Sequence, residues 1–218
     1  IAEAGGFVSA NIVSSVSGTV KAVEPRKNAS GGSAMAIVVE NDGEYTLAEG
    51  VGVECDTNGL TGQEILSKVQ KAGIVGMGGA GFPTHVKLTV KTPEKIDYVI
   101  ANGAECEPYI TCDDQLMRTK AAEIVEGMEY MLRLFPNAKG VVVVENNKPE
   151  AIAAMEQACQ GHDRVYVQPV KTKYPQGGER SLITVITGKH LKLGMLPADA
   201  GCVVDNVATI YAIYRAVK

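Results

Sequence analysis

The sequence predicts an α/β fold, a Rossmann-like parallel sheet with flanking helices, preceded by a small partial β-sandwich module. Beyond about residue 96, short apolar runs alternate with longer segments of helical periodicity, which is typical of a parallel sheet with right-handed crossovers. Before about residue 48 the chain is rich in Val, Ser and Gly, and short strand-like runs are separated by turns. We therefore expect a β module over residues 1–48 and an α/β domain over residues 49–218.

The β module contains four strand-like segments, at residues 7–13, 19–23, 35–40 and 44–47. Ser-Gly, Lys-Asn and Asn-Asp-Gly turns separate them. The run Ser15-Val-Ser-Gly-Thr-Val20 predicts a hairpin that resembles part of a biotinyl- or lipoyl-type β-sandwich. No lysine lies in the Met-Lys-Met or Asp-Lys-Ala setting that such carriers use, which disfavours a swinging-arm function.

A glycine-rich segment runs from Gly73 to Lys87, and five of its fifteen residues are glycine. Glycine lets a ligand approach the main chain closely, so this segment predicts a loop that closes over phosphates. Gly76 to Gly81 also fits the fingerprint G-x-G-x-x-G, which has meaning only after a strand. A helix is predicted there instead, with a Thr61–Glu64 capping box and a stop at Gly73. The ordinary Rossmann interpretation is therefore rejected, and a flexible surface loop is the alternative.

The α/β domain is predicted to contain strands at residues 97–101, 141–144 and 164–170. The four consecutive valines of the second strand are typical of a strand buried on both faces of a parallel sheet. One long helix is expected between the first two strands, capped by Asp113 or Asp114. Its buried face is predicted to comprise Met117, Ala121, Ile124, Met128, Met131 and Phe135.

Ligands of parallel sheets bind beyond the carboxyl ends of the strands. The loops at those ends cover residues 102–108, 145–147 and 171–179, and we expect them to converge with the glycine-rich segment to form a site. Glu105 and Glu107 could act as a general acid and base, but residues two apart in a loop need not share a face. Solvated carboxylates in a turn are the alternative for these two.

The net charge of −4 and the lack of a basic stripe argue against a nucleic-acid partner. Basic residues nevertheless surround both glycine-containing loops, which favours a bound anion with several phosphates. A solvated face is the alternative. The two groups are Lys71, His85, Lys87, Lys91 and Lys95, and Lys171, Lys173, Arg180, Lys189 and Lys192.

The five cysteines are odd in number and form no C-x-x-C pair, so neither a zinc site nor a disulfide framework is indicated. A reducing, cytoplasmic setting fits best. Cys106 and Cys112 could be redox partners, although small packing residues are the favoured interpretation. No apolar run is long enough to cross a bilayer, and a start at Ile1 without methionine indicates a fragment.

Four motifs follow one another along the chain: Gly76-Met-Gly-Gly-Ala-Gly-Phe-Pro-Thr84 with Lys87, Asn102-x-x-Glu-x-Glu-Pro108, Tyr174-x-x-Gly-x-Glu179 and Asp205-Asn-Val-x-Thr209. They occur in the order seen in the FMN-binding, NADH-oxidising subunit of respiratory complex I, and the chain resembles the C subunit of the Rnf electron-transport complex, an NADH:ferredoxin oxidoreductase, more closely. The resemblance covers nearly the whole chain.

The resemblance implies an FMN site and an adjoining NADH site. Glu107 would lie near the reacting nicotinamide, and Phe82 would stack near the dinucleotide. Asn206 and Thr209, at the start of the last helix, would contact the flavin phosphate, where helix N–H groups favour an anion. The residues implied around FMN are Gly76, Gly78, Gly79, Lys87, Asn102 and Glu105. Tyr174, Gly177 and Glu179 resemble the loop that closes the flavin and nicotinamide site.

The implied activity is hydride transfer from NADH to FMN, followed by transfer of electrons to iron–sulfur centres or ferredoxin. The implied setting is an ion-translocating complex, with this subunit peripheral on the cytoplasmic side of the membrane. No C-x-x-C-x-x-C-x-x-x-C-P motif is present, so 4Fe-4S clusters are expected only in a C-terminal region outside this sequence.

The chain departs from the complex I pattern at two positions. Ala104 stands where that pattern has an aspartate, and Gly178-Glu179 stands where it has two adjacent glutamates. These departures favour an alternative function, a nucleotide-binding or assembly scaffold that does not hold flavin. Lys87, Asn102, Glu105, Tyr174 and Asn206 favour the flavoprotein.

Overall fold

The computed structural model describes residues 1–218 and contains two separate sheets. A two-stranded antiparallel sheet comprises β1 (Gly18–Lys27) and β2 (Ser33–Asn41). A four-stranded parallel sheet has the order β5-β4-β3-β6. Its strands are β3 (Tyr98–Gly103), β4 (Lys139–Glu145), β5 (Val165–Val170) and β6 (Cys202–Asn206). The predicted α/β fold with a preceding β module is therefore confirmed, and β6 is a strand that periodicity did not predict.

In the β module, two of the four predicted strands form. Residues 7–13 and 44–47 are not strands, and the first of these ranges contributes a single bridge, between Ala2 and Ile12. The predicted hairpin at residues 15–20 is also wrong, because the β1–β2 turn lies at residues 28–32. There the Asn28 side-chain oxygen accepts from the backbone N–H groups of Ser30 and Gly32, at 3.1 and 3.0 Å, and so closes the turn.

The first helix, α1 (Gly62–Lys71), begins with the predicted capping box. The backbone N–H of Thr61 donates to Glu64 at 2.8 Å, and that of Glu64 donates to the Thr61 hydroxyl at 3.3 Å. After α1, Gly73 adopts φ +67°, and a Cβ there would lie 2.2 Å from the backbone oxygen of Asn11. Glycine is thus required both for the left-handed turn and for the contact with the β module. The short helix α2 (Thr84–Leu88) follows the glycine-rich segment.

The single long helix predicted after β3 is in fact two helices, α3 (Cys112–Thr119) and α4 (Ala121–Leu132). The break lies at Lys120, whose backbone leaves the helical region at φ −133° and ψ 30°. The predicted capping role of Asp113 and Asp114 is wrong, since both lie within the first turn of α3. The periodicity still identified the buried face correctly: Met117, Ile124, Met128, Met131 and Phe135 are fully buried.

Three further helices complete the fold: α5 (Pro149–Ala158), α6 (Glu179–Thr187) and α7 (Val207–Val217). The parallel sheet separates two apolar clusters. Val142 and Val144 belong to the larger cluster, with α1, α4 and α7, whereas Val141 and Val143 belong to the smaller one, with α6. Burial of β4 on both faces is thus confirmed. None of the helices combines the length and apolar character needed to cross a membrane.

Candidate functional site

A cavity of about 360 Å³ lies at the carboxyl ends of β3 and β6, between the glycine-rich segment and the start of α6. Its size falls in the range of small-molecule sites. Polar residues and glycines dominate its walls. The cavity is lined by Gly76, Gly78, Ala80, Gly81, Phe82, Lys87, Asn102, Gly177, Gly178, Glu179, Val204, Asp205, Asn206 and Thr209.

The cavity collects residues from all four sequence motifs. Nine of the thirteen residues implied by the resemblance line it: Gly76, Gly78, Phe82, Lys87, Asn102, Gly177, Glu179, Asn206 and Thr209. The other four, Gly79, Glu105, Glu107 and Tyr174, are not among its lining residues. Among the ten basic residues around the two loops, Lys87 alone lines it, so most of that charge lies elsewhere on the protein.

Backbone hydrogen bonds hold the glycine-rich segment in place. The backbone N–H of Gly76 donates to the backbone oxygen of Phe82 at 2.8 Å, which closes the loop on itself. The N–H of Met77 donates to the Thr209 hydroxyl at 2.9 Å and ties the loop to α7. A Cβ on Gly78 would lie 3.3 Å from Cβ of Asn206, so glycine lets the loop backbone approach the start of α7 closely.

The ammonium group of Lys87 extends from α2 to the end of β6. It donates to the backbone oxygen of Val204 at 2.7 Å and lies 3.1 Å from Oδ1 of Asp205. The carboxylate of Glu179, at the start of α6, lies 4.0 Å away. One cation therefore faces two carboxyl groups.

Asp205 is buried, with 2% of its surface exposed, and its Oδ2 atom has no hydrogen-bond partner. Burial raises the pKa of its carboxyl group to about 6; the Lys87 ammonium opposes this rise and the Glu179 carboxylate adds to it. Sequence reasoning did not single out Asp205, although it opens the fourth motif. The signal that could have identified it is a charged residue at the carboxyl end of an apolar strand.

Asn206 begins α7 and couples it to α3. Its side-chain oxygen accepts from the N–H of Ala208 at 2.9 Å, and its amide donates to Asp113 at 2.6 Å. Burial raises the pKa of the Asp113 carboxyl group, against the effect of this hydrogen bond. The first turn of α7 presents backbone N–H groups that have no partner within the helix, and such groups favour an anion.

Asn102 connects the end of β3 to the loop before α6 by a hydrogen bond. Its amide donates to the backbone oxygen of Gly177 at 2.8 Å, and its oxygen accepts from the N–H of Ala104 at 3.1 Å. A Cβ on Gly177 would lie 2.3 Å from the oxygen of Ala104. The N–H of Gly177 also donates to the Cys106 sulfur at 3.3 Å, so this thiol contributes to packing of the loop.

The Glu105 side chain caps the N-terminus of α3. It accepts from the N–H groups of Asp113 and Asp114 at 3.0 and 3.2 Å, and the Lys148 ammonium lies 3.9 Å away. Glu105, Cys112 and Asp113 place possible ligand atoms within 4.8 Å of one another, but the helix N–H groups already use both Glu105 oxygens. These contacts are structural. Both Glu107 and Tyr174 are exposed, and the roles implied for them remain predictions.

Two family models match the chain. The first, described as the Nuo51 FMN-binding domain, matches residues 69–215 and so includes the whole cavity. The second, described as the RnfC barrel sandwich hybrid domain, matches residues 1–44.

Curated relatives are similar along nearly the whole chain. The chain is 45% identical over 96% of its length to the C subunit of the Na⁺-translocating ferredoxin:NAD⁺ oxidoreductase complex of Acetobacterium woodii. It is 44% identical over its full length to the C subunit of the proton-translocating ferredoxin:NAD⁺ oxidoreductase complex of Clostridium ljungdahlii. It spans 47% and 48% of these two relatives, and thus about half their length.

A solved structure shares the fold. An NAD⁺-reducing [NiFe]-hydrogenase in the air-oxidized state superposes with a TM-score of 0.60 at 26% identity. The match covers 72% of this chain and 30% of the hydrogenase chain.

Proposed function

The chain belongs to the Nuo51 FMN-binding domain family and is homologous to Rnf C subunits, and from this premise we propose that it is the flavoprotein part of a membrane-associated electron-transport complex. It would transfer a hydride from NADH to bound FMN and pass electrons on to iron–sulfur centres or ferredoxin. The relatives' names, which describe ferredoxin:NAD⁺ oxidoreductase complexes that translocate Na⁺ or protons, support this proposal.

The observation that carries the proposal is the donor set of the cavity. Three kinds of anion-binding group meet there: the Lys87 ammonium, the main chain of the glycine-rich segment, and the N-terminal turn of α7. Groups of these three kinds bind phosphates in proteins, although the carboxyl groups of Asp205 and Glu179 next to Lys87 oppose an anion. Because Gly78 has no side chain, its backbone lies close to the Asn206 side chain at this end of the cavity.

The residues present fit FMN, and each has a definable task. Val204 and Asp205 fix the direction of the Lys87 side chain, and Thr209 fixes the loop against α7. Asn102 holds Gly177 at the far wall. When bound, a flavin supplies the ability to accept a hydride and release electrons singly, so the protein needs to provide position and electrostatics rather than an acid–base set.

We propose that the nicotinamide of NADH binds at the rim of the cavity, which we call the nicotinamide half of the site. Phe82 and Glu179 line the cavity and are 39% and 43% exposed, respectively, so both are accessible to a second ligand. Glu107, which is exposed on the loop after β3, is proposed to lie near the nicotinamide, as the resemblance implies.

The remaining parts of the proposal concern the whole protein. We propose 4Fe-4S clusters outside residues 1–218, peripheral attachment on the cytoplasmic side of the membrane, and ferredoxin or an equivalent acceptor as partner. The names of the relatives support an assembly of several different chains. Ala104 and Gly178 favour the alternative, a scaffold that does not bind flavin. A titration with FMN distinguishes this scaffold from the flavoprotein.

The test is a titration of the purified protein, freed of co-purified flavin, with FMN while flavin fluorescence is followed. NADH is then added anaerobically, and the flavin absorbance is recorded. Binding with bleaching supports the proposed function. Binding without bleaching would contradict its NADH half and point to the region around Ala104 and Gly178. An absence of FMN binding would favour the scaffold.

A further inference from the structure

The charges at the base of the cavity do not balance in favour of an anion. Lys87 is paired at 3.1 Å with Asp205 and lies 4.0 Å from Glu179, so two carboxyl groups surround the cation. A phosphate placed against Lys87 would bring further negative charge close to both. The negative charges of the phosphate and the carboxylates would repel one another strongly next to Asp205, which is buried away from water.

The two carboxyl groups differ in how they can respond. Glu179 is 43% exposed, so water can screen its charge. Asp205 is 2% exposed, it lines the cavity, and its Oδ2 atom has no hydrogen-bond partner. An unpartnered buried oxygen is open to a proton, which would remove the charge and turn the carboxyl group into a donor.

The surroundings of Asp205 offer no other group that would neutralise it. On the adjacent strand β3, Ala101 and Asn102 are opposite Asp205 and Asn206. The charged groups facing this corner are Lys87 from α2 and Glu179 from α6. The Asp113 carboxyl group from α3 accepts a hydrogen bond from the Asn206 amide.

We propose that FMN binds in this cavity together with one proton taken from solvent, which is held on Oδ2 of Asp205. Asp205 thereby makes the affinity of the site for a phosphate-bearing ligand depend on pH. The inference rests on the proposed function and deepens it. The pKa of Asp205, about 6 before a ligand is present, places the group within reach of this change, because an added anion raises the pKa further.

The direction of the pH dependence follows from linkage. If the carboxyl group is ionised in the free protein and protonated in the complex, binding consumes a proton and weakens as pH rises. This holds between the pKa of Asp205 in the free protein, about 6, and its higher pKa in the complex. Over that pH range the dissociation constant for FMN should increase about tenfold for each pH unit, relative to a protein that lacks the group. The phosphate of FMN itself titrates near pH 6, so the comparison must be made between two proteins with the same ligand.

The experiment is isothermal titration calorimetry of the purified protein with FMN in two buffers of different ionisation enthalpy, which measures the number of protons exchanged. Asp205→Asn is the comparison, because asparagine keeps the shape and an oxygen for Lys87 but does not titrate. We expect the wild-type protein to take up close to one proton more than the variant at a pH about one unit above 6. Riboflavin, which lacks the phosphate, should show no such difference.

Equal proton uptake by the two proteins with FMN would overturn the inference and leave the proposed function intact. A difference that also appears with riboflavin would overturn it, because the phosphate charge would not be its cause. Failure of FMN to bind to either protein would remove the proposed function, and the inference with it. Unfolding curves of both proteins establish that the variant is folded.

Discussion

The ammonium of Lys87 lies 3.1 Å from Oδ1 of Asp205, and this pair joins α2 to the end of β6 at the floor of the cavity. The lysine side chain is 29% exposed, whereas the carboxylate is 1% exposed. Lys87 therefore has access to a ligand, but Asp205 depends on its neighbours for any compensation of its charge. Substitution of the two residues should consequently have opposite effects on ligand binding.

Lys87→Ala should weaken FMN binding by about 1.5–3 kcal/mol, the usual value for a hydrogen bond to a charged group. This corresponds to a loss of roughly ten- to a hundredfold in affinity. Fluorescence titration measures it. Lys91→Ala is the matched control, since Lys91 is exposed and does not line the cavity. An unchanged FMN affinity in Lys87→Ala would contradict the phosphate contact.

Asp205→Asn should become more stable relative to wild type as pH rises. The folded-state pKa of about 6 lies above the ordinary 3.8, so the folded protein holds this proton more tightly than the unfolded chain does. Wild-type stability is therefore lost as pH rises from about 4 to 6, and the loss is complete above that range. At about 1.4 kcal/mol per pKa unit, the difference should grow by about 3 kcal/mol.

Urea unfolding of both proteins across this pH range measures the change. The substitution also alters the contact with Lys87, so the change of the stability difference with pH is compared, and not its absolute value. A stability difference that is independent of pH would show that Asp205 does not carry a raised pKa in the folded protein.

Gly177→Ala should destabilise the loop before α6, because its Cβ would lie 2.3 Å from the backbone oxygen of Ala104. The loop must move, and with it the Asn102 contact that shapes the cavity wall. We expect a loss of about 1–3 kcal/mol in the free energy of unfolding, together with weaker FMN binding. Gly178→Ala is the control, since its Cβ would have no neighbour closer than 3.4 Å. Equal behaviour of the two variants would contradict the close approach.

Glu105→Gln should lower stability rather than FMN affinity. Its carboxylate accepts from two N–H groups at the start of α3, and an amide offers a single oxygen without charge. The expected loss in the free energy of unfolding is about 1–2 kcal/mol. Glu107→Gln, on the exposed part of the same loop, should leave stability unchanged. Weaker FMN binding at unchanged stability would instead support the flavin contact that the resemblance implies.

Sequence reasoning succeeded where the signal is local. The capping box at Thr61 and the glycine stop at Gly73 depend on residues within a few positions. The valines of β4 were sufficient to predict burial on both faces. The nine lining residues were implied by the family resemblance and not by a local pattern.

Sequence reasoning failed where the local structure depends on contacts with residues distant along the chain. The break at Lys120 leaves the apolar periodicity intact, so the pattern of α3 and α4 predicts one helix. Glu105 closes α3 from eight and nine positions away, beyond the spacing of any capping box. Asp205 is buried and lies next to Lys87 from α2, which is 118 positions away along the chain, so spacing cannot reveal its environment.

The complex I pattern has carboxylates at the positions of Ala104 and Gly178, and restoring them should affect stability differently at the two positions. Ala104 is 5% exposed and belongs to the smaller apolar cluster, and its backbone lies directly against Gly177. Ala104→Asp would place a charge in this environment without a partner, so we expect a loss of about 2–4 kcal/mol in the free energy of unfolding.

Gly178→Glu is the matched variant. Gly178 lines the cavity, and a Cβ there would have no contact closer than 3.4 Å, so a side chain can reach the rim without displacing the loop. We expect this protein to unfold like the wild type and, if the nicotinamide half lies at the rim, to show an altered NADH concentration dependence of flavin bleaching. Thermal unfolding and anaerobic bleaching measure the two properties separately. A stable Ala104→Asp protein would contradict the prediction that position 104 lacks a partner for a carboxylate.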